Sequence, residues 1–140
     1  MKALKKNRML SMNIGDSFIK NYTVTQKVYT GFIHTFEDNN PLHTNLEFAK
    51  EHGMPEVVMH GNILNGFLSH FIGEALPQKN VIIHTQSINF YLPVFLNDTV
   101  SLQANIAEYH EAVKAFVFKF IFRNQHGKRV AKGTIQIGLI

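Results

Sequence analysis

Residues 61–76 read G-N-I-L-N-G-F-L-S-H-F-I-G-E-A-L and form the longest segment with an apolar period in this chain. Its apolar residues recur at the spacing of one helix face, which predicts a buried helix that ends at Pro77. The opposite face carries small or polar residues, which permit a strand or a ligand to approach closely. The apolar face consists of Ile63, Leu64, Phe67, Leu68, Phe71, Ile72, Ala75 and Leu76. The opposite face consists of Asn62, Gly66, Ser69 and Gly73.

The residues after this helix change to a period of two, which is typical of strands. One of these segments places four phenylalanines on a single face, and we assign that face to the core. The predicted strands cover residues 80–95, 99–108, 115–123 and 129–139. The four phenylalanines are Phe116, Phe118, Phe120 and Phe122.

The residues before the helix contain shorter elements. Residues 17–26 alternate and are rich in β-formers, which predicts a first strand. Residues 27–36 predict a short helix or turn, and residues 45–52 predict one or two helical turns. One strand, one long helix and several antiparallel strands together predict an α+β fold, with the helix lying across one face of the sheet.

Length and composition indicate a single globular domain. The chain has 140 residues, of which 45% are hydrophobic and 17% charged, a balance that excludes a disordered protein. It contains no cysteine, which excludes a disulfide framework and a thiolate metal site, and we expect a cytoplasmic location. No apolar run reaches 18 residues, so we expect no membrane span.

The formal net charge of +4 comes from one end of the chain. Four basic residues and no acidic ones lie in the first 12 residues, and the charges of the remaining chain balance. A nucleic-acid-binding protein carries its basic patch on the folded body, so we expect no nucleic-acid partner. We predict a poorly ordered extension over residues 1–12 and one domain over residues 13–140. The basic residues are Lys2, Lys5, Lys6 and Arg8.

Two short motifs carry the chemistry of this chain. Asp38 to His43 read D-N-N-P-L-H, and M-H-G at Met59–Gly61 follows, its glycine eighteen residues after the histidine. Asp and His move protons near neutral pH, and a glycine amide at a helix start can stabilise an oxyanion. The motifs therefore predict proton chemistry beside a carbonyl group. Because Pro41 disfavours a helix at the preceding residue, we expect Asp38 and His43 to converge from a loop.

The chain resembles the MaoC-like (R)-specific enoyl-CoA hydratases over residues 12–140. The resemblance rests on the two motifs in register, on the long helix and on the strand sequence N-F-Y-L-P-V-F. The resemblance implies the hot-dog fold, a curved antiparallel sheet wrapped around one long central helix. It implies hydration of trans-2-enoyl-CoA to (R)-3-hydroxyacyl-CoA, or the reverse dehydration, with an acyl-CoA or acyl-carrier-protein thioester as substrate. It further implies a homodimer that needs neither a metal nor another cofactor.

The resemblance also implies roles for individual residues. Asp38 and His43 match the catalytic acid/base pair, and Gly61 matches the glycine of the oxyanion hole. Asn40 and Ser69 match an asparagine and a serine of the substrate site. Two further residues have supporting roles. His60 lies at the helix entrance, and Pro41 lies in the loop.

The chain departs from the family pattern in two places. Members usually have a small residue and a glycine before the aspartate, where this chain has Phe36 and Glu37. Glu37 adds a carboxylate beside the site, which leaves the pH profile open. Asn62 and Asn65 stand where apolar residues are usual, which leaves the shape of the acyl pocket open. We interpret both asparagines as buried hydrogen-bonding residues.

Several alternatives compete with the hydratase interpretation. D-N-N-P alone is also a common turn sequence. A hot-dog acyl-CoA thioesterase would use a lone carboxylate, and a non-catalytic acyl-thioester-binding subunit would tolerate loss of the acid/base pair, whereas this chain keeps both groups. The eight histidines include no HxxxH or HExxH motif, so we expect no metal. The candidates for binding the coenzyme A phosphates are Lys79, Lys114, Arg123 and Lys128.

Overall fold

The computed structural model describes residues 11–140, in which one strand and a helical segment precede four further strands. The order of elements is the predicted one, and the last two strands have the predicted bounds. The strands are β1 (Ser17–Thr23), β2 (Val81–Phe90), β3 (Thr99–His110), β4 (Ala115–Arg123) and β5 (Arg129–Leu139). The helices are α1 (Gln26–Phe36), α2 (Pro41–Thr44), α3 (Leu46–Glu51) and α4 (Asn62–His70), with a π-helical turn over Phe71–Ala75 and a 3-10 turn over Glu111–Val113.

All five strands form one antiparallel sheet in the order β1-β3-β4-β5-β2. The three strands at its centre are consecutive in sequence, so short turns connect them. Phe118 of β4 lies opposite Ile106 of β3 and Ile135 of β5, and all three side chains are buried. The same face carries the other three phenylalanines of β4, which confirms their assignment to the core.

Helix α4 packs its apolar face against this side of the sheet. The predicted face is buried except for Ala75, and Phe67 stacks on Tyr22 of β1 with ring centroids 4.7 Å apart. After His70 the helix widens into the π-helical turn, which rotates the following residues relative to a regular helix. This rotation explains why Ala75 is exposed while Leu76 remains buried.

The first predicted strand after the helix is shorter than expected. β2 ends at Phe90, three residues before Pro93, and residues 91–98 form a loop. The Met59 amide donates to the carbonyl of Val94 in this loop, at 2.8 Å. The Val58 amide donates to the carbonyl of Leu42 in α2, at 3.0 Å. The segment that leads into α4 is thus held between α2 and the loop.

The predicted N-terminal extension lies mostly outside the described residues. Ser11 is exposed, whereas Met12 is 1% exposed and belongs to the hydrophobic core. The packed domain therefore includes Met12, one residue before the predicted boundary. None of the helices within residues 11–140 could span a membrane.

Candidate active site

Asp38 lies just beyond a sharp reversal at the end of α1. Glu37 caps the helix with φ 56°, in the left-handed region, and its amide donates to the Ile33 carbonyl at 2.8 Å. The reversal turns the chain at Asp38 away from the direction of α1. The Asp38 carboxylate accepts a hydrogen bond from the Asn40 amide, at 3.2 Å, while the side chain remains exposed.

His43 lies on a helix rather than on the expected loop. Pro41 occupies the first turn of α2, where its missing N–H has no partner to lose, and the Asn40 side-chain oxygen accepts from the Leu42 amide at 3.0 Å. Pro41 thus begins the helix directly after Asn40. The expectation that Pro41 keeps the chain out of a helix is correct for Asn40 but wrong for His43. Asp38 and His43 still converge, because the chain reverses direction between them.

The His43 ring is held in one tautomer by the main chain. Its Nδ1 lies 2.7 Å from the Val58 carbonyl oxygen, which can only accept, so Nδ1 carries the proton. The lone pair of Nε2 is therefore free to take a proton from a substrate or a water. The Tyr29 hydroxyl donates to the His43 carbonyl oxygen and fixes the backbone below the ring.

His60 is more central to the site than the sequence indicated. Its side chain is 3% exposed, and its Nε2–H donates to the Asp38 carbonyl oxygen at 2.9 Å. The ring lies between those of His43 and Phe32, at centroid distances of 4.0 Å and 4.6 Å. Its Nδ1 has no hydrogen-bond partner in the described part of the chain. His60 thus contacts both members of the predicted acid/base pair.

The structure brings the predicted pair together with this third group. One nitrogen or oxygen from each of Asp38, His43 and His60 lies within 4.8 Å of the other two. A water molecule between the Asp38 carboxylate and the His43 ring would reach both groups. This arrangement can take a proton from water at one group and afterwards deliver that proton to the substrate.

Gly61 begins α4 beside this cluster. Its φ of −58° is helical, so no unusual backbone conformation requires a glycine. A Cβ atom here would contact the Phe90 ring at 3.4 Å, so the glycine leaves space beside the ring. No acceptor among residues 11–140 bonds the Gly61 amide, which is therefore available to an oxyanion.

Two cavities each have one member of the predicted acid/base pair in their walls. One has a volume of about 350 Å³ and an apolar wall that includes His43 and Gly61. The other has a volume of about 490 Å³, and its wall includes Asp38 and Gly66. The further lining residues of the first are Met54, Val58, Met59, Leu64, Phe90, Tyr91, Leu92, Pro93 and Val94. Those of the second are Phe32, Phe36 and Asn62.

Other residues expected at the site lie around it. Ser69 is exposed on α4 and lines neither cavity. Asn62 is exposed rather than buried, because the apolar face of α4 points away from it; its side-chain oxygen accepts from Asn65, and Asn65 accepts from Gln86. The four basic residues considered for the phosphates, Lys79, Lys114, Arg123 and Lys128, line neither cavity.

Sequence reasoning missed the aromatic and apolar residues that line the site. Tyr29 and Phe32 reach the site from α1, and Tyr91 and Leu92 reach it from the loop after β2. These contacts depend on how distant segments pack, and no local pattern reports them. One feature of the sequence could have indicated the wall formed by the loop after β2. In the heptapeptide N-F-Y-L-P-V-F, the alternation of apolar and polar residues breaks before Pro93.

Comparisons with known proteins agree with this fold. The MaoC-like domain family matches residues 13–119. The (R)-specific enoyl-CoA hydratase of Aeromonas caviae is 36% identical over 75 residues, 54% of this chain and 56% of that protein. A 3-hydroxybutyryl-CoA dehydratase of Methylorubrum extorquens is 27% identical over 97 residues, 69% of this chain and 62% of that protein. The chain thus spans less than two thirds of the length of these relatives.

Solved structures show the same architecture. An (R)-hydratase from A. caviae involved in PHA biosynthesis superposes with a TM-score of 0.86 at 26% identity, covering 94% of this chain and 100% of that one. A truncated 3R-hydroxyacyl-ACP dehydratase complex from Mycobacterium tuberculosis superposes with a TM-score of 0.71 at 15% identity, covering 92% and 99%. These matches confirm the predicted hot-dog fold.

Proposed function

The chain belongs to the MaoC-like domain family, and we propose that it adds water to trans-2-enoyl thioesters of coenzyme A to give (R)-3-hydroxyacyl thioesters, or catalyses the reverse dehydration. One observation carries this proposal. The Asp38 carboxylate and the His43 imidazole approach each other, each in the wall of a cavity, and Gly61, whose amide is free, lines the cavity of His43. The names of the relatives as (R)-specific hydratase and as dehydratase support the same reaction class.

The proposed mechanism uses one water molecule held between Asp38 and His43. One of the two groups takes a proton from this water while its oxygen forms a bond to C3 of the enoyl chain. The C2–C3 double-bond electrons move onto the thioester, and the Gly61 amide stabilises the resulting enolate oxygen. The proton taken from the water is then delivered to C2, and both groups return to their starting state. Water is added overall, and no electron acceptor is consumed.

The two cavities supply room for the substrate on either side of the reacting carbons. The thioester carbonyl, at Gly61, would face the cavity that contains His43, while C3 would lie next to Asp38. In this arrangement Asn40 supports the loop by capping α2, and Pro41 sets the start of that helix. Ser69 stays a candidate substrate residue, two helical turns along α4 from Asn62.

The test is an assay of the purified full-length chain with crotonyl-CoA. We expect loss of the enoyl absorbance without release of free thiol, and chiral analysis should identify the (R) product. Release of thiol would instead support a thioesterase, and the (S) product would contradict the proposed stereochemistry. Absence of both reactions, with acyl-CoA binding retained, would indicate the non-catalytic subunit.

A neighbouring carboxylate supplies the control for this assay. Glu37 precedes Asp38 and is likewise exposed, but it lines neither cavity. The Glu37→Gln variant should therefore keep most of the activity that Asp38→Asn removes. Equal losses in both variants would mean that a general negative charge, and not the Asp38 carboxylate, supports the reaction.

A further inference from the structure

A third cavity lies between α1 and α4, beside the one that has Asp38 in its wall. Its volume is about 330 Å³. Phe32, Phe36 and Gly66 line both cavities, so the two are neighbours. Among the described residues in the wall of the third cavity, only Thr35 is polar. Mostly apolar cavities of this size are typical of sites that bind small organic molecules.

Two glycines keep the space between the helices open. Gly31 of α1 and Gly66 of α4 line the third cavity, and a Cβ atom at either position would meet no other atom within 4 Å. Neither residue has a positive φ, so the backbone conformation does not require a glycine at these positions. Glycine inside a helix is less favourable than alanine. Both helices therefore carry a destabilising residue where a larger side chain would narrow the cavity.

Phe36 is an exposed aromatic residue beside this space. Its side chain is 65% exposed, and its ring centroid lies 4.8 Å from that of the half-buried Phe32. The family pattern has a small residue at this position, so Phe36 is a departure of this chain. The exposed ring surface faces water at a cost in free energy, which a bound apolar group would remove.

We propose that the second and third cavities form one acyl groove, which binds the substrate chain beyond C3, and that Phe36 and Gly66 select enoyl chains longer than crotonyl. This inference rests on the proposed function, in which C3 lies next to Asp38. Asp38 is the only charged residue among the described residues that line the groove. The remaining walls are therefore suited to an alkyl chain and not to a charged or strongly polar group.

The length of the groove favours a longer chain. On α1 its walls extend from Val28 to Phe36, which corresponds to roughly 12 Å of helix at about 1.5 Å per residue. A crotonyl chain ends one carbon beyond C3 and leaves the third cavity empty. A longer chain would continue from Asp38 past Phe36 and Gly66, and it would cover apolar surface that is otherwise in contact with water.

The experiment compares crotonyl-CoA with trans-2-octenoyl-CoA as substrates of the full-length chain. We expect kcat/KM to be at least about tenfold higher for the longer substrate, since one methylene in an apolar pocket contributes about 10-fold or more. Phe36→Ala removes one wall, and Gly66→Leu fills the groove with a residue that favours a helix. Both variants should lose most of the preference. A general loss of folding would lower both activities equally and leave their ratio unchanged.

Matched substitutions outside the groove serve as controls. Gly73 is also exposed with open space around its Cα, and Leu46 is an apolar residue at 48% exposure. Neither residue lines any of the three cavities. Gly73→Leu and Leu46→Ala should therefore keep the preference of the wild type. Equal kcat/KM values for the two substrates in the wild type, or a preference that survives Phe36→Ala or Gly66→Leu, would overturn the proposal.

Binding of saturated thioesters separates this inference from the proposed function. Calorimetry should show that octanoyl-CoA binds at least about tenfold more tightly than butyryl-CoA, and Gly66→Leu should remove this difference. Protein that binds in this way but hydrates neither enoyl substrate contradicts the function alone. Hydration without a preference for the longer chain contradicts the groove alone. If a second copy of the chain covers the groove, Gly66→Leu would change the sedimenting mass but not the preference, which also overturns the proposal.

Discussion

At the scale of single residues, main-chain groups hold the proposed acid/base pair in place. The Asn40 amide donates to the Asp38 carboxylate, and the Val58 carbonyl accepts from His43. Neither bond uses Nε2 of His43, whose lone pair stays free for the proposed reaction. The geometry is therefore built before any substrate arrives, which is what general acid–base catalysis requires.

The first prediction concerns this pair. Asp38→Asn and His43→Gln should each lower kcat by about 10²-fold or more, the usual scale for a lost general acid or base. The double variant should be little worse than either single one, because both groups serve one water. Steady-state kinetics with crotonyl-CoA measure the losses, and melting curves establish that the variants fold. Multiplying losses in the double variant would show that the two groups act in separate steps.

The second prediction concerns Glu37, where the family pattern has a glycine. The left-handed conformation at this residue costs an ordinary side chain roughly 1–2 kcal/mol, whereas glycine adopts it freely. Glu37→Gly should raise the free energy of unfolding by about 1 kcal/mol, measured by urea denaturation. Glu37→Ala removes the same carboxylate but keeps the strain, so it should give no comparable gain. A gain in both variants would trace the effect to charge instead of backbone conformation.

At the scale of elements, two glycines should respond to alanine with opposite signs. Gly66 lies within α4 with open space around its Cα, and alanine is better by about 1 kcal/mol inside a helix. Gly133 of β5 has no such space, since a methyl group there would overlap the Ser87 carbonyl oxygen and approach the Phe120 ring to 2.8 Å.

We therefore expect Gly66→Ala to raise the free energy of unfolding and Gly133→Ala to lower it by about 2 kcal/mol or more. Chemical denaturation of the two variants beside the wild type measures both changes. If Gly133→Ala left the free energy of unfolding unchanged, β2 would have to move away from β5 at this position at little cost in free energy. The close pairing of the two strands argues against that.

At the scale of the whole molecule, β2 leaves one edge of the sheet unpaired within the described chain. β2 pairs with β5 on one side only, and its exposed residues include Ile82 and Ile83, at 52% and 39% exposure. Exposed apolar residues continue into the loop with Tyr91 and Leu92. A long apolar edge strand tends to pair with another chain, and a second copy related by a twofold axis would cover it.

We accordingly predict a homodimer that pairs through β2. Sedimentation at low micromolar concentration should give twice the 16.0 kDa mass of one chain. Ile82→Lys should shift the protein toward the monomer, because a lysine on an edge strand opposes pairing. Ile19→Lys on β1, the opposite edge, is the control and should leave the mass unchanged. A monomeric wild type, or equal effects of both lysines, would contradict this arrangement.

Much of the fold followed from the sequence because the strong patterns are local. The alternating phenylalanines of β4 and the alternation of β5 predicted both strands with their exact bounds, Ala115–Arg123 and Arg129–Leu139. The helix was harder to predict, because packing determines the π-helical turn after His70 and no periodic pattern in the sequence indicates it. His60 was underestimated for the same reason, because its contact with Asp38 joins residues 22 positions apart.

The connection between β1 and β3 has a consequence for synthesis on the ribosome. Thr23 of β1 pairs with Thr99 of β3, 76 positions later. β2 likewise pairs with a strand that is synthesised later, β5. At roughly 5–20 residues per second, β1 emerges about 4–15 seconds before its neighbour exists. During this interval α4 has no sheet to cover its phenylalanines. The nascent chain therefore passes through a window in which chaperone binding, or capture by other nascent chains, competes with folding.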